Sequence, residues 1–195
     1  MNNTKDIIFK SAVKIFSNNG YNGATMDAIA ADAGVAKGTL YYHFKSKEKI
    51  FKYIVLEGMN IIKKEIEEVA NKEQNSLSKL KVLCKIQLGL VYERKEFFKV
   101  IMSQLWGQEG RQLELREAVN KYIIYIEKYL QDAINEGTIK DGDTYSMAYT
   151  LFGTICSAAV YELINEDKQH ANKDKKKYGN MIDNIINYVL SGIMK

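Results

Sequence analysis

The stretch from Thr25 to Lys47, TMDAIAADAGVAKGTLYYHFKSK, permits very few local structures. Thr25 can cap the free N–H groups at the start of a helix, and Met26, Ile29 and Ala30 then share one helical face. Gly34 breaks that run where a tight turn needs a residue tolerant of positive φ. A second short run follows, with Val35, Leu40 and Phe44 as its apolar positions, and Ser46 can cap the helix after it. Two short helices joined by a glycine turn form a helix-turn-helix, whose second helix can lie in the major groove of DNA. The polar side of that helix carries Lys37, Thr39, Tyr41, Tyr42 and His43, groups suited to phosphates and base edges and of little use to a core.

This wording resembles the DNA-binding domain of the TetR family of transcriptional repressors. The residues that carry the resemblance are Thr25, Ile29–Ala30, Gly34–Val35, the run from Lys37 to Phe44, and Lys45, Lys47 and Glu48. The resemblance implies that Tyr41, Tyr42, His43 and Lys47 act as a clamp on DNA phosphates. One position departs from the pattern. The family often has Ser or Thr where this chain has Ala36, so a side-chain phosphate contact and a helix cap are missing, leaving a backbone N–H and a methyl group. From the residues themselves, Lys37 and Thr39 at the start of the second helix are placed for base edges. Gly38 lets backbone approach backbone, and Thr25 adds a hydroxyl at a helix N-terminus. The candidate DNA-binding residues are therefore Thr25, Ala36, Lys37, Gly38, Thr39, Tyr41, Tyr42, His43 and Lys47. Tyr41, one residue from Leu40, can pack its ring while offering its hydroxyl.

The rest of the chain reads as helical throughout. None of the 195 residues is proline, so few breaks are forced, and the expected fold is all-α with about nine helices. Over residues 4–19, Ile8, Ala12, Ile15 and Phe16 form one face, and Gly20 ends that helix. A fourth helix, from just after Ser46 to about Ala70, is too long for the small domain alone. It is expected to join a DNA-binding domain over 1–52 to a ligand-binding and dimerisation domain over 53–195. Ser76 can cap a fifth helix, and Phe97–Trp106 forms a shorter sixth. A long helix follows from about Arg111 to Ile134. Asp143 can cap another over 144–165. The segment 166–178 is a charged connector, and the last helix bears Met181, Ile182, Ile185, Ile186, Val189, Leu190 and Ile193.

Function follows from this arrangement. A single helix-turn-helix reads few base pairs, so specificity calls for a dimer that sets two recognition helices about one DNA turn, roughly 34–36 Å, apart. Small residues on 144–165 (Ala148, Gly153, Ser157, Ala158, Ala159) and the wide stripe on 179–194 provide a homodimer interface. The resemblance also implies a pocket for a small-molecule effector, and Ile62, Leu88, Tyr92, Phe98, Met102, Trp106, Tyr122, Tyr125 and Phe152 are its candidate lining. The fourth helix would transmit ligand binding to the DNA-binding domain.

Charge supports the same division: residues 1–50 are net +3 and residues 55–165 net −2, so the basic excess lies with the helix-turn-helix. Catalysis is not expected, since His43 and His170 are the only histidines and no nucleophile, metalloprotease or phosphate-loop motif appears. No cofactor and no metal site is expected. Cys84 and Cys156, in apolar runs without metal-ligand spacing, read as reduced core thiols of a cytoplasmic protein. No apolar leader and no membrane-length span is seen. The competing readings are an activator or thiol redox sensor on the same fold, and a helical enzyme or a binding protein with no DNA partner.

Overall fold

The computed structural model of the protein describes residues 4–164 and 175–194. Among these residues there are nine helices and no strand: α1 (Thr4–Gly23), α2 (Met26–Asp32), α3 (Lys37–His43), α4 (Lys47–Ala70), α5 (Ser76–Glu93), α6 (Lys95–Gln104), α7 (Gly110–Asn135), α8 (Thr144–Ile164) and α9 (Lys175–Ser191). An isolated bridge pairs Ile139 with Met194. The all-α expectation holds.

Chain punctuation accounts for most boundaries. Gly20 takes a left-handed φ of 67° and kinks the end of α1, as a residue without Cβ can at no steric cost. The Thr25 hydroxyl accepts the Ala28 N–H at 3.1 Å and caps α2. Asp143 receives the N–H groups of Tyr145 and Ser146 and caps α8. Three boundaries differ from the sequence expectation. Asn75, not Ser76, caps α5 through the Ser78 N–H. Ser76 is instead helical, and its N–H and hydroxyl both donate to the Glu136 carboxylate, at 2.8 and 2.6 Å. Helix α6 stops at Gln104, two residues short of Trp106. Helix α9 begins at Lys175, inside the lysine run. Lysine is a good helix former, and Tyr178 anchors that first turn by stacking on Tyr92 and donating its hydroxyl to the Leu88 carbonyl at 3.0 Å. The remainder of the expected connector, with His170, lies outside the described residues.

The chain forms two compact units, Met1–Asn60 with Glu96–Ala118, and Ile61–Lys95 with Val119–Lys195. Helices α4 and α7 each contribute residues to both. In the first unit Ile8, Ala12, Phe16, Ile29, Leu40, Ile50, Phe51 and Ile54 are buried, joined by Phe97, Ile101 and Leu115. In the second, α5 packs against α8 and α9. Its core includes Ile66, Leu80, Leu83, Leu88, Ile126, Leu130, Leu151, Ile155, Ile182, Ile186 and Leu190. The wide stripe on α9 thus divides: Ile182, Ile186 and Leu190 face the core, while Met181, Ile185 and Val189 are half-buried.

Candidate nucleic-acid interface and ligand-binding core

Helix α3 is built to be held by one side and to present the other. Leu40 is its one buried side chain, fully enclosed, and Phe44, just past its end, is buried beside Tyr53. Packing of α2 against α1 and α3 supplies the enclosure, and Gly34, at φ 63°, makes the turn between them. Everything on the outer side is available. Ala36, Lys37, Gly38 and Thr39 are exposed in succession, Tyr42 is 78% exposed, and Tyr41 is 37% exposed. His43 is half-buried with its ring edge-on to Tyr42. Ala36 stands at the helix start with no side-chain cap, as its methyl dictates. Lys37 reaches back to Asp27 on α2, with N···O distances of 2.8 and 2.9 Å. Both partners are largely exposed, so a phosphate or base can replace the carboxylate. The Asp27 carboxylate raises the Lys37 ammonium above its ordinary pKa, and Lys37 is a cation at any relevant pH.

Lys47 is engaged differently from the others. Its ammonium donates to the carbonyls of Tyr21 (2.7 Å), Asn22 (3.4 Å) and Ala24 (3.0 Å), at the end of α1, and lies 4.5 Å from the centre of the Tyr21 ring. It therefore ties the start of α4 to the chain leading into α2. Lys47→Met is expected to remove a charged hydrogen-bond donor from three carbonyls, at a cost of about 1.5–3 kcal/mol. Thermal melting should fall by several degrees; an unchanged melt would mean that water serves the carbonyls equally well.

Tyr21 is the residue that sequence reasoning passed over. Following Gly20, it lies outside any periodic run and reads as linker. In the structure it is buried, with ring centres 5.5 Å from Phe16 and 5.6 Å from Phe51. The Arg111 guanidinium at the start of α7 lies 3.9 Å from its ring centre. Burial and the adjacent Glu48 carboxylate push its phenol up to about 12. Arg111 and Lys47 thus clamp one aromatic ring, which attaches the start of α7 to the helix-turn-helix within the same unit. The loop before α7 is held likewise. Gln112 donates to the Trp106 carbonyl at 2.7 Å, and Arg116 donates to the carbonyls of Leu105 and Gly107.

The expected pocket lining separates between the units. Ile62, Leu88, Tyr92, Tyr122, Tyr125 and Phe152 belong to the second, and Phe98, Met102 and Trp106 to the first. Trp106 is a correction: its ring is 82% exposed, beyond the end of α6, and cannot line an enclosed pocket. Within the second unit a polar feature stands out. Gln87 on α5 is 1% exposed, and its Oε1 accepts the Tyr122 hydroxyl at 3.1 Å. Its Nε2 has no partner among the described residues. An unmatched buried amide costs about 1–3 kcal/mol. From Tyr122 a ladder of phenols continues along α7: Tyr125 stacks on Tyr122, and its hydroxyl meets that of Tyr129 at 3.0 Å. The Lys63 ammonium lies 5.1 Å from the Tyr125 ring centre.

Burial pushes the Cys84 thiol up to about 12 and also raises that of Cys156. Neither is therefore a ready thiolate. Among the described residues no group of three or more His, Cys, Asp or Glu could hold a metal, and no helix is long and apolar enough to cross a membrane.

Comparison with known proteins matches the family model of bacterial regulatory proteins, tetR family, to residues 8–54. A fatty acid metabolism regulator protein of Bacillus subtilis is 30% identical over 166 residues, 83% of this chain and 84% of the relative. The chain belongs to the TetR family. It is a DNA-binding transcriptional regulator and not an enzyme. The structure of a candidate fatty acid metabolism regulator from Clostridium perfringens is 42% identical, with a TM-score of 0.83 and coverage of 97% of this chain and 99% of that one. The regulator also shares its fold with FadR from Bacillus subtilis, solved in complex with stearoyl-CoA. That chain is 24% identical, with a TM-score of 0.82 and coverage of 96% and 98%. Family members bind operator DNA, dimerise and respond to small-molecule effectors. For this regulator, exposure of cells or protein to peroxide is expected to leave operator affinity unchanged, because neither thiol is activated. A gel-shift titration in which peroxide weakened binding, with the effect lost in Cys84→Ser or Cys156→Ser, would restore the redox-sensor reading.

Proposed function

We propose that the protein is a cytoplasmic, homodimeric repressor that leaves a palindromic operator when it binds a fatty-acyl ligand. The observation that carries the DNA half is the exposed run from Ala36 to Thr39, with Tyr41, Tyr42 and His43, standing over an enclosed Leu40. In this reading Lys37 and Thr39 meet base edges. Thr25, Tyr41, Tyr42, His43 and the Ala36 N–H meet phosphates, and Gly38 permits close approach. Lys47 contributes by fixing the entry to α4, and its charge adds to the local field.

Support for the dimer comes from α8. Tyr149, Gly153, Ser157, Val160, Tyr161 and Ile164 are exposed along one side of it, with Tyr188 exposed on α9. A seam of small residues flanked by exposed apolar ones suits close helix approach to a symmetry mate. The functional division proposed is DNA binding by the first 52 residues, with ligand binding and dimerisation by residues 53–195.

The effector class is supported by the relatives, two of which are described as regulators of fatty acid metabolism. The second unit offers a largely apolar interior in keeping with an acyl chain. Helix α4, whose residues to Asn60 belong to one unit and from Ile61 to the other, would carry the signal. An effector favouring the DNA-incompetent state by about 1–3 kcal/mol weakens operator binding about 5–150-fold. Fluorescence anisotropy of a labelled operator, titrated with protein with and without palmitoyl-CoA, tests this. A rightward shift of that order is expected. Identical curves at saturating palmitoyl-CoA would remove the acyl ligand from the account.

A further inference from the structure

We propose that Gln87 reads the carbonyl group of the effector, its Nε2 donating to the acyl oxygen inside the second unit. This rests on the fatty-acyl reading given above and names the residue that would make it specific. Gln87 and Tyr122 form a hydrogen-bonded pair that is incomplete on the amide side. Tyr122 is 3% exposed, and burial raises its phenol well above the ordinary range, so it keeps its proton. A buried phenol must donate, and its acceptor is Gln87 Oε1 at 3.1 Å. That bond fixes which end of the amide is which. The Nε2 end is then left with two N–H groups and no acceptor among the described residues.

The chemistry around it narrows the missing partner. Along α5 the neighbours Leu83, Cys84, Leu88 and Val91 are all buried and apolar, and the Cys84 thiol is held protonated by burial. Buried Ser76 at the start of α5 is already satisfied by Glu136. A ligand that completes this site is therefore apolar over most of its length and carries one neutral or anionic oxygen acceptor. An acyl chain ending in a thioester or a carboxylate has that form. A plain hydrocarbon chain has no acceptor to offer the amide, so Gln87 would supply discrimination rather than bulk affinity.

The test separates the carbonyl from the chain. Isothermal titration of the full-length protein would compare palmitoyl-CoA, palmitate and S-hexadecyl-CoA, a thioether with the same chain and no carbonyl. The wild-type protein is expected to bind palmitoyl-CoA about tenfold more tightly than the thioether, the scale of one well-made hydrogen bond. In Gln87→Leu the two affinities should converge, the thioether affinity being unchanged. Because Gln87→Leu leaves the Tyr122 hydroxyl without its acceptor, Gln87→Leu/Tyr122→Phe serves as a second variant with both polar groups removed, and the same convergence is expected. If palmitate, not the thioester, shows the preference that Gln87→Leu abolishes, the inference stands with a free carboxylate as the group read. Discrimination that persists in both variants would overturn it. So would equal binding of thioester and thioether to the wild type, although the acyl-ligand reading would survive. Failure of all three compounds to bind the wild type would remove that reading, and this inference with it.

Discussion

Gly38→Leu is expected to abolish specific operator binding while leaving the protein as stable as before. A Cβ built at Gly38 meets nothing within 4 Å, and the residue lies on the exposed side of α3. Leucine also has the higher helix propensity, by up to about 1 kcal/mol, so melting should be unchanged or slightly raised. In the docking proposed above, the same position is where backbone would come close to DNA. Affinity should therefore drop to the nonspecific level, typically about a thousandfold or more below specific binding. Thermal melts alongside anisotropy titrations on operator and scrambled duplexes would show it. Retained operator affinity would mean that this side of α3 does not face DNA. Loss of affinity with a lowered melting temperature would mean that Gly38 has a packing role that the structure does not contain.

The second glycine gives the opposite result. At Gly58 on α4 an added Cβ would lie 2.2 Å from Cε2 of Phe97, a ring on α6 that is itself buried. Neither helix backbone nor an enclosed ring can yield cheaply. Gly58→Val is expected to destabilise the protein by about 1–3 kcal/mol through overpacking, which lowers the melting temperature by about 2–4 °C per kcal/mol in a chain of this size. Operator affinity should weaken as well, because α4 begins beside the helix-turn-helix. The cause can be isolated by a double variant. Adding Phe97→Leu to Gly58→Val should recover part of the loss, giving strong non-additivity. Strictly additive effects would mean that the ring is not what the valine meets.

These two positions also show what could and could not be read from the chain. The helix-turn-helix was legible because its logic is local: Thr25 caps, Gly34 turns, and Leu40 and Phe44 sit at helical spacing over a polar outer face. Helix α8 was equally plain, with Asp143 as its cap. Interactions between residues distant in sequence were not legible. Nothing in the run YNGA marks Tyr21 as a buried ring held by Arg111, ninety residues on. Nothing in a pattern of charges shows that Lys47 spends its donors on the carbonyls of α1. The packing of 96–118 with the N-terminal residues is invisible for the same reason, since each helix there has an ordinary amphipathic face whose partner is unspecified. Trp106 belongs by type to the aromatics that line small-molecule pockets, but α6 ends before it and leaves it in solvent. Gln87 was visible as a polar residue in an apolar run, but its unmatched amide exists only once Tyr122 is placed against it.

Sequence-specific binding of DNA by a symmetric dimer can be tested by selection from the organism's own DNA. Genomic fragments retained by the purified full-length protein at physiological salt, where nonspecific phosphate contacts are weak, would be sequenced. A single enriched motif with two-fold symmetry is expected, its half-sites separated by about one helical turn or a multiple of it. The same selection with Gly38→Leu should yield none. Retained fragments with no common motif, or the same enrichment from wild type and Gly38→Leu, would contradict the assignment of α3 as the element that reads DNA.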